Sequence, residues 1–346
     1  MTDLTTTGPP SPATGHALAP PAPRPGVGAG PSVGVDVGGT TTVAVVLDDE
    51  GRVGERDVSP TPSGATAVAQ HAAGAVRRAA ARAGVALEDL TGVGVGVPGV
   101  VDPGEGTVAN AVNLGIDRPA PLAALVAAAL ADGRDAARTP RVVLENDLNA
   151  AVLGAAHVLR ERSGETVDDL AFIALGTGLA AGIMLDGRLR RGPHRAAGEI
   201  GHLRYVPDGL PCKCGQSGCL ERYASGSALD AAWGPARSGR PAPVEVFEAA
   251  AAGEPLAVRV RDEFVAAVAG AVRVLVLTCD VGRVVIGGGV AQLGEPLLHA
   301  LVVELERQAA SSPFLAAADL PGRVQLAPAG LPVGAVGAAL VARGGR

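Results

Sequence analysis

The amino-acid sequence predicts a duplicated α/β fold, two lobes of related plan with a cleft between them. Three observations carry that expectation. A strand, a glycine turn and a returning strand occur over residues 33–47 and recur over 170–185. In both halves the hairpin comes first and the helices follow, as when one unit is given twice. With 346 residues, 47% of them hydrophobic, the chain can bury a sizeable core in one large or two moderate domains.

The elements follow in order. Val33-Gly34-Val35-Asp36-Val37 alternates as a strand, Gly38-Gly39 makes a turn, and Thr40 to Leu47 returns. Residues 65–83 are alanine-rich and read as a helix stopped by Gly84. Val93 to Val97 is a glycine-laced strand ending at Pro98-Gly99, residues 119–131 a helix, Arg141 to Leu144 a short strand, and Asp147 to Arg162 a helix. Leu170 to Leu175, the turn Gly176-Thr177-Gly178 and Leu179 to Leu185 repeat the opening plan. Helices are expected over 226–232, 243–252, 255–277 and 293–310, with a buried strand from Val281 to Ile286 before Gly287-Gly288-Gly289 and a small-residue helix over 333–344. Residues 1–31, with the run Ala19-Pro20-Pro21-Ala22-Pro23, cannot repay the entropy of ordering and read as a disordered tail without a secretory leader.

Composition excludes several functions. The formal net charge of −6 leaves no basic surplus for nucleic acid, and 2% aromatics leave no stacking platform. No uninterrupted apolar stretch suits a membrane span. Three of the four cysteines fall within residues 212–219, so a disulfide-stapled scaffold is excluded and a cytosolic protein is expected. Lys213 is the single lysine, which rules out a Walker-type phosphate loop, Schiff-base catalysis and the lysine clamp of protein kinases. Nucleotide phosphates would have to be met by backbone N–H groups, hydroxyls and a metal ion.

Four segments carry chemistry. In Asp36-Val37-Gly38-Gly39-Thr40 two glycines can turn backbone N–H groups toward an oxyanion, Thr40 adds a hydroxyl, and Asp36 can hold Mg²⁺ directly or through water. Gly176-Thr177-Gly178 has the same ingredients. Each alone is equally an ordinary turn; their recurrence at equivalent points favours phosphate clamps. Gly94 to Gly99 satisfies the dinucleotide-binding glycine pattern on paper but precedes a turn at Val100 to Gly104 rather than a helix, so it is rejected. In Glu145-Asn146-Asp147-Leu148-Asn149-Ala150, at a strand–helix junction, Asp147 can accept a proton from a hydroxyl and Asn146 can bind neighbouring hydroxyls; an N-cap is the plain alternative. His202, Cys212, Cys214 and Cys219 offer one imidazole and three thiolates within 18 positions, a closed tetrahedral set for structural Zn²⁺. Glu199 and Glu221 flank that loop and can face a polar ligand, or be solvated surface charges. Gly287, Gly288 and Gly289 can let a flat base approach the backbone, or simply turn.

Taken together, Asp-Val-Gly-Gly-Thr, Val-Pro-Gly-Val-Val-Asp, Glu-Asn-Asp-Leu-Asn-Ala, Leu-Gly-Thr-Gly, Ala-Gly-Glu-Ile-Gly-His, Cys-Lys-Cys-Gly-Gln-Ser-Gly-Cys-Leu-Glu and Ile-Gly-Gly-Gly-Val resemble, in this order over residues 32–345, the ROK family of sugar kinases and sugar-responsive repressors. Within that family the likeness is nearest to the bacterial glucokinases. The resemblance implies a two-lobed actin-like (ribonuclease H-like) ATPase fold, with a small lobe of residues 32–146 plus the C-terminal helix 332–346 and a large lobe of 147–331 holding the zinc loop 202–219. It implies homodimers or homotetramers, and ATP, Mg²⁺ and structural Zn²⁺. It makes Asp147 the catalytic base and places Gly99, Asn146, Glu199, His202 and Glu221 around the sugar, with Asn113 nearby. It gives Gly38, Gly39, Gly176, Thr177 and Gly178 to phosphate, and Gly287, Gly288 and Gly289 to adenosine. The implied reaction is ATP-dependent phosphorylation of a hexose, first glucose, then mannose, N-acetylglucosamine, N-acetylmannosamine or fructose, with polyphosphate as another donor. Two departures stand out: Thr41 where many relatives have lysine, and Ala180-Ala181 where the second loop often has glycines. The rival is a non-catalytic sugar sensor, but such relatives carry a helix-turn-helix domain, for which the first 31 residues are too short and proline-rich.

Overall fold

In a computed structural model of the chain, the described residues are 30–131, 138–235 and 239–345; the tail expected over 1–31 lies almost wholly outside them. The strand–turn–strand opening forms as expected, β1 over Ser32–Val37 and β2 over Thr41–Leu47, followed by β3 (Asp57–Pro60) and helix α1 (Ala65–Arg82). β4 (Gly92–Val97) runs into a small hairpin of β5 (Val100–Asp102) and β6 (Thr107–Ala109), and α2 (Leu122–Ala131) leads to β7 (Val142–Asn146) and α3 (Asp147–Ser163). The second half repeats the plan with β8 (Leu170–Leu175), β9 (Leu179–Leu185) and β10 (Arg188–Leu189), then α4 (Gly226–Trp233), α5 (Ala242–Ala251) and α6 (Pro255–Cys279). β11 (Arg283–Gly287), α7 (Glu295–Ala309), α8 (Pro313–Ala317), β12 (Val324–Leu326) and α9 (Val333–Ala342) complete the chain.

The two sheets have one topology. The strand orders are β3-β2-β1-β4-β7 and β10-β9-β8-β11-β12. In the first, β1 pairs antiparallel with β2 and parallel with β4, Val35 lying opposite Ala44 and Val95. In the second, β8 pairs antiparallel with β9 and parallel with β11, Phe172 lying opposite Gly182 and Val285. Both faces of the central strands are covered: in β1 and β4 valines alternate with Gly34 and Gly94, on which α9 lies, and β8 is apolar on both faces. Val33, Val35 and Val37 pack with α1, while Val45 and Leu47 join α3, α9 and the β8–β11 strands in a core shared by the two halves.

That shared core is built on glycine. A Cβ at Gly34 would lie 1.8 Å from the Ala335 carbonyl oxygen, one at Gly94 1.8 Å from that of Ala338, and one at Gly337 1.7 Å from that of Ala150. Only hydrogen fits there, so α9 sits with its backbone directly on β1, β4 and α3. Gly94 of β4 is therefore a packing residue, and the apparent dinucleotide pattern it belongs to opens no helix.

Several elements depart from expectation for identifiable reasons. The segment expected as a turn after Gly99 forms β5, with the turn displaced to Pro103–Gly106 and held by Asp102. α2 begins at Leu122 rather than 119, since Ala120 is bridged to Val108 and lies between Pro119 and Pro121. β3 and β12 are short edge strands without alternation, which periodicity does not register. Among the described residues no helix is long and apolar enough to cross a membrane.

Candidate functional site

The two glycine turns sit at the ends of the paired hairpins. Gly38 donates its N–H to Thr41 O at 3.0 Å, and Gly39 passes so close to Asn113 that a Cβ would meet the Asn113 Cβ at 3.0 Å. Thr40 and Thr177 are exposed at the two tips. Gly176 donates to Gly178 O at 3.1 Å and accepts from Gly226 N at 2.7 Å, which ties the second turn to the start of α4. Gly288, at φ +89°, would place a Cβ 2.5 Å from Leu175 O, so the 287–289 turn lies against the same strand end. Gly289 has open space around it.

Between the halves is a narrow cleft bordered by Gly99, Asn146, Arg191, Arg195 and Glu199. Asn146 is indeed the N-cap of α3, its Oδ1 accepting from Leu148 N at 3.0 Å and Asn149 N at 3.2 Å. Its Nδ2 donates to Gly99 O at 3.3 Å, which joins the strand–helix junction to the loop after β4. Capping and facing the cleft are thus compatible: the cap uses the oxygen and leaves a second amide hydrogen for a ligand.

Asp147 opens α3. Burial, with the charge of Glu199 adding to it, pushes its pKa up to about 6 against backbone N–H donation that lowers it. Asp36 is pushed further, to about 7, by burial and then by Asp147. Two carboxyls therefore feel each other beside the cleft, and Asp36 also touches α9, where a Cβ on Gly334 would lie 2.3 Å from its Oδ2. A cation between such carboxyls would relieve both burial and repulsion, so they fit the divalent ion that phosphate chemistry uses.

The four predicted metal ligands come together. Their donor atoms lie within 4.8 Å of one another, Cys214 Sγ and Cys219 Sγ at 3.6 Å, and Cys212 Sγ and His202 Nδ1 at 4.0 Å. Bonds of about 2.0–2.3 Å in a tetrahedral arrangement demand separations of about this size. The backbone and side-chain N–H groups of Gln216 lower the Cys214 pKa to about 6 and so favour the thiolate. The imidazole has two faces of use, since Nε2 turns away from the sulfurs and lies 3.9 Å from Glu199 Oε2. Lys213 stands exposed between two of the ligands.

Glu221 takes a place that the sequence did not suggest. Its Oε2 accepts from Leu179 N at 3.0 Å, and a Cβ on Gly178 would lie 2.4 Å from the same oxygen. It thus anchors the segment after the cysteine–histidine cluster to the second glycine turn. Sequence reading also missed Glu145. Buried at the penultimate position of β7, it accepts from Arg191 Nε at 3.0 Å, from Arg191 Nη2 at 2.5 Å and from Asn149 Nδ2 at 2.9 Å. A buried glutamate late in a mainly apolar strand signals that a cation is needed, but not which one.

These features define a two-lobed, actin-like α/β protein with a cysteine–histidine cluster next to Glu199 of its cleft. The chain belongs to the ROK family, whose model matches residues 32–344. It is 40% identical over 200 residues to a glucokinase of Streptomyces coelicolor, a match covering 58% of this chain and 58% of that protein. It is 32% identical to an N-acetylmannosamine kinase of Citrobacter koseri over 90% of this chain and 99% of that protein. Among solved structures it resembles a ROK family glucokinase from Streptomyces griseus in complex with glucose and AMPPNP, with a TM-score of 0.71 and 34% identity over 91% of this chain and all of that one.

Proposed function

We propose that the protein is an ATP-dependent hexokinase-type sugar kinase, acting in the cytoplasm, that converts glucose to glucose 6-phosphate. The observation that carries the reading is the placement of Asp147, a half-buried carboxyl at the start of α3 and next in the chain to Asn146, which faces the cleft with Gly99 and Glu199. The likeness to glucokinases supports glucose as the sugar.

In this reading Asn146, Glu199 and His202 orient the sugar hydroxyls, and Asp147 takes the proton from the hydroxyl whose oxygen attacks the γ-phosphoryl group. The N–H groups of the turns at Gly38-Gly39 and Gly176–Gly178 hold phosphate oxygens as charge spreads over them, and Gly287–Gly289 borders the adenosine. Mg²⁺ held at Asp36 supplies charge neutralisation of the phosphates. Zn²⁺ held by His202, Cys212, Cys214 and Cys219 supplies rigidity to the loop that bears Glu199 and Glu221. Glu221 serves by fixing the second glycine turn. Residues 32–146 with 332–346 form one closing lobe and 147–331 the other, in a homodimer or homotetramer.

The test is sugar-dependent ADP release from Mg-ATP across a panel of hexoses, with polyphosphate as an alternative donor. Glucose is expected to give the highest kcat/KM, and Asp147→Asn to lower kcat by about 10²-fold or more. Sugar binding without turnover on either donor would overturn the kinase reading in favour of a sensor.

A further inference from the structure

Two arginines from the segment between β10 and Glu199 cross the cleft to the other half of the molecule, and they differ in kind. Arg191 is seated on Glu145, with side-chain exposures of 27% and 2%. Arg195 meets Asp102 through a single contact, Nη2 to Oδ2 at 3.1 Å, with exposures of 33% and 41%. The first is a fixed strut. The second is a pair that water already reaches, and such pairs return little stability.

Arg195 nevertheless occupies a costly backbone position. Its φ of +59° lies in the left-handed region, which glycine enters freely and a side chain bearing a Cβ enters at a cost. The exposed ion pair does not repay that cost, and a strained residue kept at a cleft points to function. Asp102 is set up to receive it, because its Oδ1 is held by Gly104 N at 2.9 Å and Glu105 N at 3.1 Å, leaving Oδ2 for the guanidinium. No other protein acceptor among the described residues meets that guanidinium. Arg195 borders the cleft together with Val101, Ala197 and Glu199.

We infer that Arg195, steadied by Asp102, is a specificity-determining residue: it walls the cleft against a bulky ring substituent, admitting unsubstituted hexoses and excluding N-acylated hexosamines. This rests on the sugar-kinase reading above. An acyl group at this wall must push the guanidinium off Asp102 and take its space, whereas a hydroxyl there accepts a hydrogen bond from the remaining guanidinium N–H groups.

The test compares kcat/KM for glucose and for N-acetylmannosamine and N-acetylglucosamine in the unaltered protein, Arg195→Gly and Asp102→Asn. Arg195→Gly suits the left-handed backbone and is expected to fold. It should raise the ratio of one N-acetylhexosamine to glucose by about tenfold or more, and Asp102→Asn should move the ratio the same way by less. A general structural role would lower both activities together and leave the ratio fixed. An unchanged ratio in both variants, or an unaltered protein that already uses an N-acetylhexosamine as well as glucose, would overturn the wall while the kinase reading stands. Turnover of no sugar by the unaltered protein would instead overturn the kinase reading and the wall with it.

Discussion

The two sheets share a strand order and a set of strand directions, yet they are not equipped alike. The penultimate residue of β1 is Asp36, whereas the matching position of β8 is Ala174. The first half passes from β3 to β4 mainly through α1; the second inserts the cysteine–histidine loop and α4, α5 and α6 between β10 and β11. Both halves keep the glycine turn. The carboxyls gather at β1 and α3, while the second half offers backbone and a braced loop whose Glu221 reaches back to its own turn. A duplicated frame thus fixes where a ligand can sit, and unequal additions to it decide what happens there.

The largest effect should come from breaking what the halves share. Gly337→Ala would put a Cβ 1.7 Å from Ala150 O in the seam between them, and should destabilise the chain by about 3 kcal/mol or more, read as a lowered urea midpoint with kcat and stability lost together. Removing metal should separate the halves instead. Chelation is expected to lower Tm by about 5 °C or more and to expose residues 203–218 to proteolysis, while β1 and β4 amides keep their protection from hydrogen exchange.

The acid pair sharpens the contrast through pH. Asp36 and Asp147 have folded pKa values of about 7 and 6, above the ordinary 3.8, so between pH 4 and 7 the folded state holds more protons than the unfolded one. Their contribution to stability is therefore most favourable below the unfolded pKa and is lost as pH rises through 6–7. Activity runs the other way, since the base must be ionised: kcat should rise with pH through an apparent pKa near 6 that belongs to the pair. Asp147→Asn should accordingly raise Tm at pH 7.5 while abolishing that rise in activity. The smallest effect is expected at the first glycine turn. Gly39→Ala meets the Asn113 Cβ at 3.0 Å and its other atoms at ordinary contact distance, so Tm should change by no more than about 2 °C while KM for ATP rises.

What the sequence made legible was local. The four candidate metal ligands lie within 18 positions, the hairpins declare themselves by alternation and glycine, and Asp147 follows a strand end directly. What it hid depends on closure of the chain. Arg191 and Glu145 are 46 positions apart, and their pairing exists only once β7 and the segment after β10 face each other. Gly34, Gly94 and Gly337 show their purpose only against a neighbouring backbone, and Glu221 shows its target only when the loop folds back on Leu179. Edge strands β3 and β12 are paired on one side alone, so no apolar pattern marks them.

Lys213 carries a practical consequence. It is the one lysine of the chain, it is exposed, and it lies between two cysteines of the cluster. Amine-directed reagents therefore find one side-chain target, on the braced loop and not on the glycine turns. A dye acylating this side chain would report loop order as metal is added or withdrawn. Immobilisation through the same side chain, by contrast, would tether the molecule by the loop that carries the cysteine–histidine cluster.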